Sequence, residues 1–225
     1  MNSLINNWSP LAISIWVSLW AGLSALALGV GLAWYLARTK NRIKVILEGI
    51  TLFSLVLPPT ILGYYLLVAL GRQGIGAWLE QLFGLRLVFA WPGAVVVATI
   101  VALPLVIQTA QTGFAEIEPE IEDAARVDGC GSWQFFWRIG VPVAWRGIAA
   151  GGMLGFLRAL GEFGATLMVA GNIPGRTQTL AMAIYDAVQK NDLVSANQIA
   201  LLLLSISFGI LSLVFFTKQR IARNS

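Results

Sequence analysis

About five stretches of this chain are apolar over the length needed to cross a bilayer, and this constrains its folding more than any other feature. A spanning helix takes about 20 predominantly apolar residues. Such runs lie near Leu11–Ala37, Val45–Leu70, Trp91–Ala110, Val143–Ala170 and Asn197–Thr217. In hydrocarbon every backbone N–H and C=O must be satisfied within its own segment, so runs of this length predict helices. The expected fold class is all-α, a polytopic transmembrane helical bundle of about five spans, with residues 1–225 forming one domain. Only 12% of residues are charged, against about a quarter in soluble domains. Several runs exceed the bilayer thickness, which predicts tilt or extension beyond the membrane. The start, "MNSLINNWSP", lacks the basic n-region of a cleavable leader, so the first run is expected to remain as a span.

Lys and Arg flank the spans unevenly. Arg38, Lys40, Arg42 and Lys44 follow the first run, Arg126, Arg138 and Arg146 the third, and Lys218, Arg220 and Arg223 the last. The opposite loops hold the thinner set Arg72, Arg86, Arg176 and Lys190. Positive loops stay inside, so the N-terminus is expected outside and the C-terminus in the cytoplasm. Trp8, Trp34 and Trp91 fall near span ends, as an aromatic belt requires, whereas Trp16 and Trp20 do not. A short interfacial helix is expected around Ala77–Phe83, its apolar face turned either to the membrane or onto the bundle. The net charge of +4 could suggest nucleic acid, but that reading needs a basic face on a soluble module, so no nucleic-acid partner is expected. With no histidine and only Cys130 as cysteine, no metal site or cofactor is expected.

Proline and glycine interrupt the spans. Pro58 and Pro59 fall within the second run, with Gly63 just after, and Pro104 interrupts the third. Each frees a carbonyl that protein or a water-filled path must satisfy, so these residues mark either packing kinks or a pathway. Gly147, Gly151, Gly152, Gly155, Gly161 and Gly164 crowd the fourth run, predicting the most closely packed helix, either central in the bundle or at a subunit contact. Arg158 and Glu162 stand at i,i+4 spacing in that run and can pair. The pair reads either as a gate or anion-path element or as a structural tie.

Between the third and fourth runs, residues 113–142 form a loop too polar to span. Pro119 starts a helix at its first position, with Glu120, Glu122 and Asp123 in the positively polarised first turns. Gly129 ends it. Ser132 is the expected N-cap of a second helix from Trp133 to about Arg138, bounded by Pro142. Trp133, Phe135, Phe136 and Trp137 load that short helix with aromatic surface, either for a partner or for packing under the bundle.

Asp123-Ala124-Ala125, three residues, Gly129, nine residues, Ile139, one residue, Val141 and Pro142 resemble the E-A-A-x3-G-x9-I-x-L-P loop of prokaryotic ABC importer permeases. Asp123 replaces Glu and Val141 replaces Leu. The resemblance implies a coupling helix that docks into an ATPase subunit, with Trp133, Phe136 and Trp137 as further contacts and a type I importer permease fold. The chain has no G-x4-G-K-[ST] phosphate loop, so it is not expected to be an enzyme, and ATP hydrolysis is assigned to a separate subunit.

"FLRALGEFGATLMVAGNIPGRTQTL", Phe156 to Leu180, is similar to permeases for tetrahedral oxyanions, molybdate above all, with sulfate and thiosulfate permeases close behind. The resemblance implies a homodimer in the bacterial inner membrane, two ABC ATPase subunits and an extracytoplasmic oxyanion-binding protein. Tungstate is a further cargo consistent with it. Pro58, Pro59, Arg158 and Glu162 are the pathway or gate candidates. An ion-coupled secondary transporter would need intramembrane carboxylates such as Glu162 or Glu48 and, usually, inverted repeats, and no repeat is evident. An integral membrane enzyme is disfavoured, because the chain has no histidine and no clustered polar triad.

Overall fold

The computed structural model describes residues 9–223, with side chains described through residue 212. Trp8 and the side chains of Lys218, Arg220 and Arg223 lie outside the described residues. All regular structure among the described residues is helical. In chain order the helices are α1 (Pro10–Arg38), α2 (Arg42–Val56), α3 (Pro59–Leu70), α4 (Ile75–Phe83), α5 (Trp91–Ala115), α6 (Pro119–Val127) and α7 (Ser132–Phe135). After a π-helical turn, Phe136–Gly140, come α8 (Val141–Leu160), α9 (Gly164–Ala170), α10 (Leu180–Gln189) and α11 (Leu193–Arg223).

Local chemistry sets these ends. The Ser9 hydroxyl accepts the Ala12 N–H at 3.3 Å, with Pro10 opening α1, and the Asn41 carboxamide accepts the Arg42 N–H at 2.6 Å. Such caps satisfy donors that the first turn leaves free. The Thr179 hydroxyl caps α10 through the Met182 N–H.

Helices α1, α5 and α8 pack on one another as the central layer, with α3 against α9 and α10 against α11. The centre is α5, which is buried along much more of its length than α8. The glycine-rich run is therefore not the most enclosed helix. Its glycines instead set how closely α8 meets α5. A Cβ on Gly147 would lie 2.5 Å from the Thr109 carbonyl oxygen and one on Gly155 2.9 Å from Val106 Cγ2, while one on Gly151 would overlap the Thr109 hydroxyl.

Sequence expectations for the second, third and fourth runs change. The second run is not one straight span: α2 and α3 meet at Pro58 with a bend of 111°. Four helices are long and apolar enough to cross a membrane, and the bent pair makes five if counted as one span. Pro104 does not interrupt the third run, because α5 continues through it. The carbonyl that this proline frees, that of Ile100, accepts the Ser54 hydroxyl of α2 at 3.3 Å. The helix of the fourth run ends at Leu160 and is interrupted over residues 161–163 before α9. Helix α4 lies where a short helix is expected, and its large apolar residues Ile75, Trp78, Leu82 and Phe83 face outward rather than onto the bundle.

Candidate functional site

Two groups of candidate residues come together at different levels of the bundle. The first is the loop from α6 to α8. Pro119 opens α6, Glu120 and Glu122 occupy its first turn, and the helix ends through Gly129 at φ 77°. A Cβ there would meet nothing within 4 Å, so the left-handed turn and not lack of space calls for glycine. Asp123 and Ala124 are exposed on α6, whereas Ala125 packs inward with Phe114, Ile117, Phe135 and Phe136. Ile139 and Val141 flank that same cluster, and Pro142 is exposed in the first turn of α8.

The cap of α7 differs from the expectation. Gly131 is the N-cap and Ser132 the first helical residue; the Gly131 N–H donates to Gln134 Oε1 at 3.3 Å. Pro142 stands in the first turn of α8, at the boundary expected of it. The π-helical turn carries α7 into α8 without an intervening loop. The aromatic load divides: Phe135 and Phe136 are buried, while Trp133 is 72% and Trp137 53% exposed. Trp133 and Trp137 are thus the accessible members.

Trp34 is the hub beneath the loop. Its ring lies 5.1 Å from Phe114 and 5.0 Å from Phe136, both edge to face, and Gly140 is small because a Cβ there would come within 2.6 Å of it. The Arg38 guanidinium stacks 3.4 Å from the Trp34 ring centroid and 4.9 Å from that of Phe135. Arg38 Nε and Nη2 each lie 3.1 Å from Glu122 Oε2, and Glu122 Oε1 receives Arg126 Nη2 at 2.7 Å. The end of α1 is thereby bound to α6. Sequence reasoning missed this contact, because Arg38 read as one of many flanking cations and Glu122 as a helix-terminal charge. A cation closing a span beside a Trp was the available signal.

The second group is a junction of two broken helices. Glu162 lies just beyond α8, not within it, yet still pairs with Arg158, Nη1 to Oε2 at 2.8 Å. Its other oxygen accepts the Ala165 N–H at 3.2 Å, so one carboxylate that is 3% exposed holds the end of α8 to the start of α9. Cation at a helix C-terminus and anion at the next N-terminus complement both helix dipoles. The α2–α3 elbow seats on this break: a Cβ on Gly164 would lie 3.0 Å from Pro59 Cβ, and one on Gly63 2.8 Å from Ala165 Cα. Pro58, Pro59, Arg158 and Glu162, distant in sequence, thus belong to one neighbourhood. Among the described residues no group of His, Cys, Asp and Glu is arranged to hold a metal ion.

A family model described as binding-protein-dependent transport system inner membrane component matches residues 25–223. The molybdenum transport system permease protein ModB of Haemophilus influenzae is 42% identical over 182 residues, covering 80% of each chain. The sulfate transport system permease protein CysT of Escherichia coli is 31% identical over 196 residues, covering 87% of this chain and 70% of that one. A chain in the crystal structure of a bacterial alginate ABC transporter, in complex with an alginate pentasaccharide-bound periplasmic protein, matches with a TM-score of 0.71 at 16% identity. That match covers 94% of this chain and 77% of the other, a likeness of fold.

Proposed function

Since this chain belongs to the family of binding-protein-dependent transport system inner membrane components, we propose that it is the membrane-spanning permease of an ATP-driven importer for a tetrahedral oxyanion, molybdate. It is a multi-pass membrane component of an ABC transporter assembly, and not an enzyme. Two copies would form the translocation unit, two ATPase subunits would drive it, and an extracytoplasmic binding protein would deliver the anion. The 42% identity to a molybdenum permease supports the cargo, and the 31% identity to a sulfate permease makes sulfate the alternative.

The observation that carries the mechanism is the exposed α6–Gly129–α7 knob fastened to α1, α5 and α8 by its buried side, Ala125, Phe135 and Phe136. A small rigid unit of this kind can seat in a partner's groove and pass a domain movement to the spans. Asp123, Ala124 and Trp133 form its docking face, with Trp137 beside them, while Gly129 gives the turn. ATP binding would draw the two coupling loops together and open the spans toward the delivered anion; release of ADP and phosphate would return them. The cations of the α6 end, Arg38, Lys40, Arg126 and Arg138 among them, outnumber those at the far loops, which supports a cytoplasmic α6 and an N-terminus outside.

The junction of Arg158, Glu162 and the Pro58–Pro59 elbow is the gate in this reading. It joins two discontinuous helices, the arrangement that lines transport paths in membranes. Replacing Arg158 with Gln should reduce uptake in complexes that still assemble; normal transport with reduced assembly would make the pair a structural tie. The docking reading is tested by co-purification. An ATPase subunit should remain with the wild type and be lost from a variant in which Gly129 and its flanking turn are disrupted, whereas retention of the ATPase would refute α6–α7 as the docking unit.

A further inference from the structure

At the end of the bundle opposite α6, two loops meet over a cavity of about 460 Å³ lined by Arg72, Arg86 and Arg176. That volume lies within the roughly 300–1,000 Å³ range of small-ligand sites. Arg72 follows α3, Arg86 follows α4, and Arg176 lies between α9 and α10. Glu80 is the one carboxylate in the lining and is engaged with Arg86, Oε1 to Nε at 3.0 Å. Arg72 and Arg176 form no ion pair among the described residues, so the cavity carries an excess of two positive charges.

The frame around these arginines is firm. In "GNIPGRTQT" the Thr177 hydroxyl donates to the Gly171 carbonyl at 2.8 Å and accepts the Ile173 N–H at 3.0 Å. Thr177, Gln178 and Thr179 are buried, and the Thr177 and Gln178 N–H groups both return to the Ile173 carbonyl. The threonines therefore explain the turn, and Arg176, exposed on its outside, is left unexplained by folding. On the other wall the α3–α4 corner is closed so tightly that a Cβ on Gly76 would overlap the Leu70 carbonyl.

We propose that Arg72, Arg86 and Arg176 form a binding site for a free tetrahedral oxyanion at the outer mouth of the permease, a holding point between delivery and entry. Its position outside rests on the transport reading above; its chemistry does not. Guanidinium groups present paired N–H donors that match two oxygens of an oxyanion. Three of them around one cavity concentrate anions there by their field as well as by contact. Glu80 limits the excess charge, and the solvent-exposed guanidinium groups make binding weak and salt-dependent, as a site that must release its anion requires.

The test is equilibrium binding of molybdate, and separately of sulfate, to the purified permease–ATPase complex in nanodiscs without binding protein. Saturable binding that weakens with added NaCl is expected. The Arg72→Gln/Arg176→Gln double variant should bind about tenfold less tightly, and the corresponding double Lys variant should recover part of the loss, with complexes eluting as the wild type does. No saturable binding to the wild type, or equal binding to the Gln variant, overturns the site. If the Gln variant keeps its anion affinity but binds the delivery protein less well, the arginines are a protein-docking patch and the proposal is wrong. A complex that binds sulfate but not molybdate would remove the cargo assignment and leave the site standing, so the two failures are distinguishable.

Discussion

Substitution of Glu122 separates mechanical coupling from mere folding. Glu122 joins Arg38 at the end of α1 to Arg126 on α6, and its side chain and that of Arg38 are 26% and 23% exposed. Each is less than a third exposed, so the pair is neither a freely solvated surface contact nor a fully buried one. At an effective dielectric of about 20 the Coulomb attraction at this separation is roughly 5 kcal/mol, most of it offset by desolvation. A net coupling of about 1–2 kcal/mol remains. Arg38 adds its stacking on Trp34, about 0.5–2 kcal/mol; Nη1, buried with no hydrogen-bond partner among the described residues, has the Trp34 face beside it as compensation. Glu122→Gln keeps the volume but removes the charge. Arg38→Met keeps the stem and removes both the pair and the stacking. In a double-mutant cycle followed by unfolding of the purified permease, the two single costs should exceed the cost of the double by about 1 kcal/mol or more. In the same complexes the stimulation of ATP hydrolysis by loaded binding protein should fall for both singles, because movement of α6 then reaches α1 less directly. Additive stabilities together with undiminished stimulation would refute the reasoning.

Gly151→Ala should destabilise the permease by about 1–3 kcal/mol, because its Cβ would overlap the Thr109 hydroxyl and crowd Val106. Gly31→Ala, where nothing lies within 4 Å, should instead be neutral or stabilising by up to about 1 kcal/mol, and thermal unfolding of the two variants checks the contrast. Gly129→Ala, also in open space, should cost about 1–2 kcal/mol from its positive φ alone and weaken ATPase association, measured by the dissociation constant of the subunit. The Ser195 side-chain hydrogen bond, followed by the Ser195 backbone N–H, holds the Asp192 carboxyl below its ordinary value. Its stabilising effect on the start of α11 is therefore fully present above the unfolded carboxylate pKa of about 3.9 and lost as pH falls through the lower folded value. The protection factors of amides at the start of α11, corrected for the intrinsic pH dependence of exchange, should be flat from neutral to mildly acidic pH and fall only below that range, and Asp192→Ala should abolish the fall.

The apolar runs revealed the helices because a bilayer leaves the backbone few alternatives, and Pro119 and Gly129 marked the ends of α6 through purely local rules. What stayed hidden depended on contacts distant in sequence. The Ser54 hydroxyl rescues the Ile100 carbonyl across helices, so α5 passes straight through Pro104, which local rules read as an interruption. Phe136 and Trp137 are adjacent and equally aromatic, yet one is 8% and the other 53% exposed, a difference set by Trp34 more than 100 residues earlier. The i,i+4 spacing of Arg158 and Glu162 gave the ion pair correctly for a reason that only partly holds. Glu162 lies past the helix end, and the second bond to Ala165 fixes it.

The central claim is that an ATPase partner drives an oxyanion through this chain. Its most direct test is uptake of molybdate into proteoliposomes holding the permease and its ATPase subunit, with binding protein outside and ATP inside. Accumulation that requires ATP, the binding protein and an intact α6–α7 loop, and that molybdate outcompetes sulfate to occupy, is the predicted result. Uptake driven by an ion gradient without the ATPase, or no ATP-dependent uptake of any tetrahedral oxyanion, would contradict it.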